Sequence, residues 1–393
     1  MTNFLIRKFI KDYKNTKDTY VRQQYTFLSG ITGIILNIVL CLLKFLVGIL
    51  TKSVSVTADA VNNLSDASSS VISIFGAKLS AKPADEEHPY GHGRMEYIAA
   101  FIVASIIMVM GFELLTSSVS KIINPQDVSF SYGALIALIL SIPVKLYLAY
   151  FNSKIGKAIN SLSVKAVVSD SITDAIATFA TIISLAVSGL TKYNIDGFVG
   201  LVVAVVIMKA GFDIVNEVVT SLMGSVPDIE LVKDIEQCVL SHKEVVGVHD
   251  MMVHDYGPNI TIASLHAEVP AEQDIMVSHD IIDNIEIEVE EKFGVLLTIH
   301  LDPVETQNEE VNRLKGIAEN VINEIDKSFS IHDFRIVSGT THTNLLFDVV
   351  IPFGYKTSAP EILNIIKTKI KEIDNSLRVV AKIEHGFTGE NKA

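Results

Sequence analysis

The sequence predicts a membrane α-helical protein, a six-span bundle, followed by a cytoplasmic α+β ferredoxin-like domain that is duplicated. Three observations predict it. Six apolar stretches, each about long enough to cross a bilayer, fall before residue 223. Beyond Pro227 the pattern changes to amphipathic helices and short strands. That later pattern then runs through twice. Across all 393 residues the hydrophobic share is 49% and the mean hydropathy +0.39, both high for a chain that lives wholly in water.

The spans are expected at 27–50, 54–80, 97–122, 130–151, 164–189 and 195–221. Lys and Arg mark one side of them: Arg7, Lys8, Lys11, Lys14 and Arg22 come before the first span. Lys78, Lys82 and Arg94 flank the second connection, and Lys154 and Lys157 follow the fourth span. The opposite loops hold only Lys52, Lys121 and Lys192. By the positive-inside rule both termini are expected in the cytoplasm, in a bacterial cytoplasmic membrane. The N-terminal MTNFLIRKFIKDYKNTKDTYVRQQY is basic and amphipathic, with no small-residue cleavage site, and predicts no cleaved signal peptide.

After the spans the periodicity predicts a helix over 228–241, strands over 245–256 and 260–269, a helix over 274–293 and a strand over 295–301. The second pass gives a helix over 309–326, strands near 331–337 and 343–351, a helix over 360–374 and a strand over 377–384. The texts align as well: VHDMMVHD at 248 answers IHDFRIVS at 331, and LHAEVP at 265 answers FDVVIP at 347. This reads as a tandem duplication. The expected boundaries are a cytoplasmic N-terminal segment 1–26, a transmembrane domain 27–223, a first ferredoxin-like domain 224–305 and a second 306–393.

A net charge of −13 argues against nucleic acid as a partner, because phosphate binding needs clustered Lys and Arg. The two cysteines, Cys41 and Cys238, lie too far apart in sequence for a disulfide framework or a CxxC site. Any metal must therefore be held by oxygen and imidazole.

Two spans carry acids at helical spacing. In TADAVNNLSDASSS, Asn62 and Asp66 are four residues apart, and in VSDSITDA so are Asp170 and Asp174. Each pair shares one helix face. An ionised carboxylate in hydrocarbon costs several kcal/mol unless it is paired, hydrated or metal-bound, and no Lys or Arg interrupts either segment nearby. Convergence of these four side chains would make a cation site. The plain alternative is polar residues gluing helices together. Asp59 and Asn63 lie on the same stripe, so Asp59 can stand in for Asn62. Lys44 and Glu113 are further intramembrane charges and read as structural.

The run SVTADAVNNLSDASSSVISIFGAKLSAKPADEEHPYGHGRMEYIAA, the SDSITDA segment, six spans and a ferredoxin-like tail together resemble the cation diffusion facilitator family, over residues 20–303. The resemblance implies that Asn62, Asp66, Asp170 and Asp174 form the transport site. Zinc exporters of the family usually have His or Asp where this chain has Asn62, and often His where it has Asp170. The Asn-Asp-Asp-Asp set is similar to the manganese-exporting branch, and an all-oxygen shell suits the harder Mn²⁺.

The resemblance also implies a loop site at Asp85, His88 and His92 in PADEEHPYGHGRME. It further implies a cytoplasmic metal cluster at His249, His266, His279, His300 and Asp302, partly at a homodimer interface. His254 and Asp255 are alternatives there. The second unit keeps His332, Asp348, Glu384 and His385 at corresponding places, for which an interface role is favoured.

The expected function is efflux of Mn²⁺ in exchange for H⁺ by alternating access, in a homodimer surrounded by membrane lipids. Zn²⁺, Fe²⁺, Co²⁺ and Cd²⁺ remain alternative cargoes, and the rivals from other classes are an intramembrane hydrolase using aspartates to activate water and a membrane-anchored metal sensor. No enzyme is expected: HExxH, a P-loop and a nucleophile with its base are all missing from the sequence.

Overall fold

A computed structural model describes residues 2–16, 18–51, 54–124, 132–191, 195–257, 260–352 and 354–387. The chain divides into two compact units, one built mainly from Met1–Gly224 and the other from Ser225–Asp255 with Ile260–Ala393.

The first unit is all helix: α1 (Thr2–Phe9), α2 (Thr19–Thr51), α3 (Val54–Ser80), α4 (Met95–Ile123), α5 (Tyr132–Ile159), α6 (Leu162–Thr191) and α7 (Asp196–Met223). Among the described residues, five stretches are long and apolar enough to cross a membrane: Tyr20–Val47, Met95–Ile123, Leu135–Ile159, Leu162–Ile183 and Gly197–Met223. Helix α3 matches the others in length, with 27 residues, but its Asp, Asn and Ser side chains dilute its apolar character.

Polarity in this unit is inverted relative to a protein dissolved in water. Leu42, Leu46, Phe112, Val202 and Val205 are exposed, whereas Asn37, Ser69, Ser70, Ser73, Lys145 and Asn152 are buried. That is the arrangement expected when hydrocarbon is the solvent and polar groups must find partners inside. Small residues let the helices approach. Where α4 crosses α7, a Cβ at Gly111 would lie 2.8 Å from Met208 Cγ, and one at Gly211 would lie 2.7 Å from Met108 Cγ. Between helices α2 and α5, the Ser29 hydroxyl donates to Asn152 Oδ1 at 2.8 Å.

The second unit contains two successive αββαβ arrangements. The first is α8 (Ile229–Leu240), β1 (Gly247–Asp255), β2 (Thr261–Pro270), α9 (Ile275–Phe293) and β3 (Val295–Val304). Asp228 caps α8 by accepting from the Glu230 amide, Asp274 caps α9, and Gly294 ends α9 at φ +68°. The sheet runs β1-β2-β3, antiparallel then parallel. Its apolar side packs on the two helices through Ile235, Val239, Leu265, Ile285 and Val289.

The second arrangement is α10 (Glu309–Ile325), β4 (Ser330–Ser338), β5 (Thr343–Ile351), α11 (Ala359–Ile373) and β6 (Leu377–His385). Strand order and pairing repeat the first, as β4-β5-β6, antiparallel then parallel. Its own core gathers Leu314, Ile322, Phe347, Ile362 and Ile366. The expected elements are present in both arrangements, with bounds differing by a few residues.

Candidate metal centres

The i,i+4 spacing on α3 and α6 turns Asp66, Asp170 and Asp174 toward one point. One carboxylate oxygen from each lies within 4.8 Å of those of the other two. Asp66 and Asp170 are buried, and Asp174 is half-buried. Asp66 Oδ1 is buried with no hydrogen-bond partner, an orphaned acceptor of the kind that a bound cation satisfies. The side chains of Asn62 and Asp59 lie outside the described residues.

The expectation that no basic group neutralises these acids is corrected. Lys145, on α5, reaches across and places Nζ 2.6 Å from Asp174 Oδ2 and 2.7 Å from Asp66 Oδ2. Its side chain is only 5% exposed. Sequence inspection of the two acid-bearing segments missed it because it stands on a third helix, 79 residues from Asp66 and 29 from Asp174. A lone Lys in an apolar span was the available signal. Of the other intramembrane charges, Lys44 is buried and Glu113 is exposed on α4.

In the loop between α3 and α4, Asp85, His88 and His92 do come together, with one donor atom of each within 4.8 Å of the others. Asp85 Oδ1 accepts from the His88 amide at 2.8 Å, and His92 Nε2 is 3.4 Å from Asp85 Oδ2. His92 Nδ1 sits 3.1 Å from the Pro83 carbonyl. A carbonyl can only accept, so Nδ1 is the donor in that contact. Lys82, 2.5 Å from Asp85 Oδ2, is the main cause holding that carboxyl well below the usual carboxylate range.

In the second unit, strand register sets His249, His266 and His300 side by side on β1, β2 and β3. Asp302, two residues beyond His300 on the same face, accepts from His266 Nδ1 at 2.8 Å and lies 3.3 Å from both His249 and His300. His249, His266 and Asp302 form a compact ligand set. The His300 side chain is 66% exposed at the margin of that set. His279 lies on the exposed face of α9 and is not gathered with the others, and His254 and Asp255 are exposed.

One further group emerges that sequence reasoning did not assemble: His249, Asp250 and His332, the last from β4. Burial holds the His332 pKa below its ordinary value. For His249 burial acts the same way, but the adjacent Asp250 carboxylate, together with the charges of Glu268 and Asp302, outweighs it and raises the pKa.

Comparison with known proteins places these geometries in context. The model of the cation efflux transmembrane domain matches residues 30–223, and that of the cation efflux protein cytoplasmic domain matches residues 227–304. The second αββαβ arrangement lies beyond both ranges. An uncharacterized transporter of Methanocaldococcus jannaschii is 33% identical over 251 residues, covering 64% of this chain and 88% of its own length. The manganese efflux system protein MneS of Bacillus subtilis is 29% identical, covering 70% of this chain and 95% of its own. A cadmium, cobalt and zinc/H⁺-K⁺ antiporter of Bacillus subtilis is 23% identical, covering 65% and 82%. With both domains matched in order and a 33% identical relative covered over 88% of its length, the chain belongs to the cation efflux, or cation diffusion facilitator, family of divalent metal transporters.

Proposed function

We propose that this transporter exports Mn²⁺ in exchange for protons, using Asp66, Asp170 and Asp174 with Asn62 as the intramembrane site. The observation that carries the proposal is the junction of three carboxylates and one ammonium. With all four groups ionised, they leave two negative charges, matched by one divalent cation or by two protons. Cargo and counter-ion then compete for the same oxygens. Lys145 holds the acids together while the site is empty of metal, and it must release Asp66 and Asp174 when the ion enters.

Manganese is favoured by the donor set. The described ligands are all carboxylate oxygen, without the imidazole that draws Zn²⁺ and later transition ions. A manganese efflux protein among the relatives supports the same cargo. A relative that handles cadmium, cobalt and zinc supports the second reading, export of a softer ion.

The remaining architecture follows from this reading. Helix α3 is the sixth span, both termini face the cytoplasm of a bacterial cell, and the soluble domains pair two chains into a homodimer. The loop set Asp85, His88 and His92 and the set His249, His266 and Asp302 act as auxiliary cytoplasmic sites, with His300 at the edge of the latter.

The decisive experiment is metal flux in proteoliposomes under an imposed proton gradient. Native protein is expected to move Mn²⁺ faster than Zn²⁺, and Asp66→Ala to abolish both. Zn²⁺ flux exceeding that of Mn²⁺ overturns the cargo. Flux surviving Asp66→Ala overturns the site, and the absence of any flux in native protein would favour a sensor.

A further inference from the structure

The two αββαβ arrangements correspond residue by residue around their metal-facing rows. In the first, the row across the sheet is His249, His266 and His300, with Asp302 one step further on. In the second, the same register gives His332, Asp348 and Lys382, with Glu384 one step further on. Each first strand is broken by a bulge at the same point, and the residue there is an Asp in left-handed conformation: Asp250 at φ +50° and Asp333 at φ +54°. The second row is thus an altered copy of the first. Lys382 stands where the first has His300, and it forms an ion pair with Glu384.

The two rows meet. The His332 ring stacks on the His249 ring with centroids 4.2 Å apart and planes at 22°. His332 Nε2 lies 3.7 Å from Asp250 Oδ1, and His249 Nδ1 lies 3.5 Å from Asp250 Oδ2. Both imidazoles are about nine-tenths buried, with side chains 8% exposed. Even so, none of their four ring nitrogens makes a hydrogen bond. Leaving a buried polar group unsatisfied is energetically unfavourable. Two such rings stacked beside a carboxylate are poor design for a plain packing contact and good design for a cation site.

We propose that His249, Asp250 and His332 bind a divalent d-block cation at the seam between the two arrangements, so that the second one supplies a ligand within its own chain. Two imidazoles and one carboxylate make a borderline donor set, which selects Zn²⁺ or Co²⁺ over Mn²⁺. The site is therefore chemically distinct from the all-oxygen intramembrane cluster. A cell's softer metals can bind here without being the cargo, and ion binding at the seam locks the two arrangements together.

The test uses the full chain purified in detergent and titrated with Co²⁺, read by the visible absorption of the bound ion. That readout is independent of flux, so it stands or falls apart from the cargo assignment. His332→Gln and Asp250→Asn are each expected to remove an imidazole-type Co²⁺ signal or to weaken it by at least about tenfold. His266→Gln, which removes a ligand of the neighbouring set only, is expected to lose that set's Co²⁺ and to retain the ion bound at the seam. Circular dichroism confirms folding, and Asp250→Asn, nearly isosteric and half-buried, serves if His332→Gln fails to fold. Co²⁺ binding unchanged in Asp250→Asn, or lost only in His266→Gln, overturns the proposal.

Discussion

Lys145 Nζ and Asp174 Oδ2 lie 2.6 Å apart inside the helical bundle, and the same ammonium reaches Asp66. A cation supplied by the protein thus stands among the carboxylates proposed to receive a metal. The pairing explains how three acids persist in an apolar setting without an ion. It also makes the lysine a competitor of the cargo, since both need the same oxygens.

Replacing Lys145 with Met therefore has opposite effects on the empty and the loaded protein. Removing one partner of a buried ion pair costs about 3–5 kcal/mol, so metal-free Lys145→Met is expected to unfold at clearly lower temperature than native protein. Mn²⁺ then substitutes for the missing charge and is expected to stabilise the variant more than it stabilises native protein. Thermal unfolding in detergent with and without Mn²⁺ checks this. Equal metal-induced shifts in the two proteins would show that lysine and metal do not compete.

The donor set gives a second expectation. In Asp170→His an imidazole enters a buried position 4% exposed, and nitrogen ligation favours Zn²⁺ over Mn²⁺. The Mn²⁺:Zn²⁺ flux ratio in proteoliposomes is expected to fall by on the order of tenfold. A ratio unchanged at full flux would place the ion elsewhere.

How far these features were legible in the sequence depends on chain distance. The acid pairs were readable because four residues are one helical turn, and Asp85, His88 and His92 because one short loop carries them all. Strand alternation put His300 and Asp302 on one face, whereas His266 was joined to them only by the family resemblance. Lys145 was not readable as a partner, because nothing local tells which way a residue on α5 faces or which helices α5 meets. The meeting of His332 with His249 was hidden for the same reason: aligning the two texts puts these residues at corresponding positions but does not say that they touch. His279 shows the converse, since the family resemblance grouped it with strand residues while the capping Asp274 and the phase of α9 leave it on the outer face.

The loop set is expected to govern capture rather than turnover. Asp85 is bound to Lys82, His88 and His92 at once, so Asp85→Asn loosens both the ligand set and the loop. If the set gathers metal for the bundle, KM for Mn²⁺ rises by about tenfold while the maximal rate is kept. Initial flux measured across a range of Mn²⁺ concentrations separates the two quantities. A fall in maximal rate at constant KM would assign the loop to conformational change instead.

Helix packing between α4 and α7 supplies the last prediction. A methyl group at Gly211 would stand 2.7 Å from Met108 Cγ, with the Met108 amide and the Ala104 carbonyl at 3.3 Å. The reciprocal approach at Gly111 brings in Met208 at 2.8 Å, so the crossing has little room to slide. Gly211→Ala is expected to destabilise the bundle by about 1–3 kcal/mol through overpacking. The nearest clash is with a flexible side chain, so adding Met108→Ala should recover part of that loss, whereas Met108→Ala alone should destabilise by leaving a void. The four proteins form a double-mutant cycle read by thermal unfolding. Strict additivity would mean that the two residues do not meet, and that α4 and α7 are not packed through this crossing.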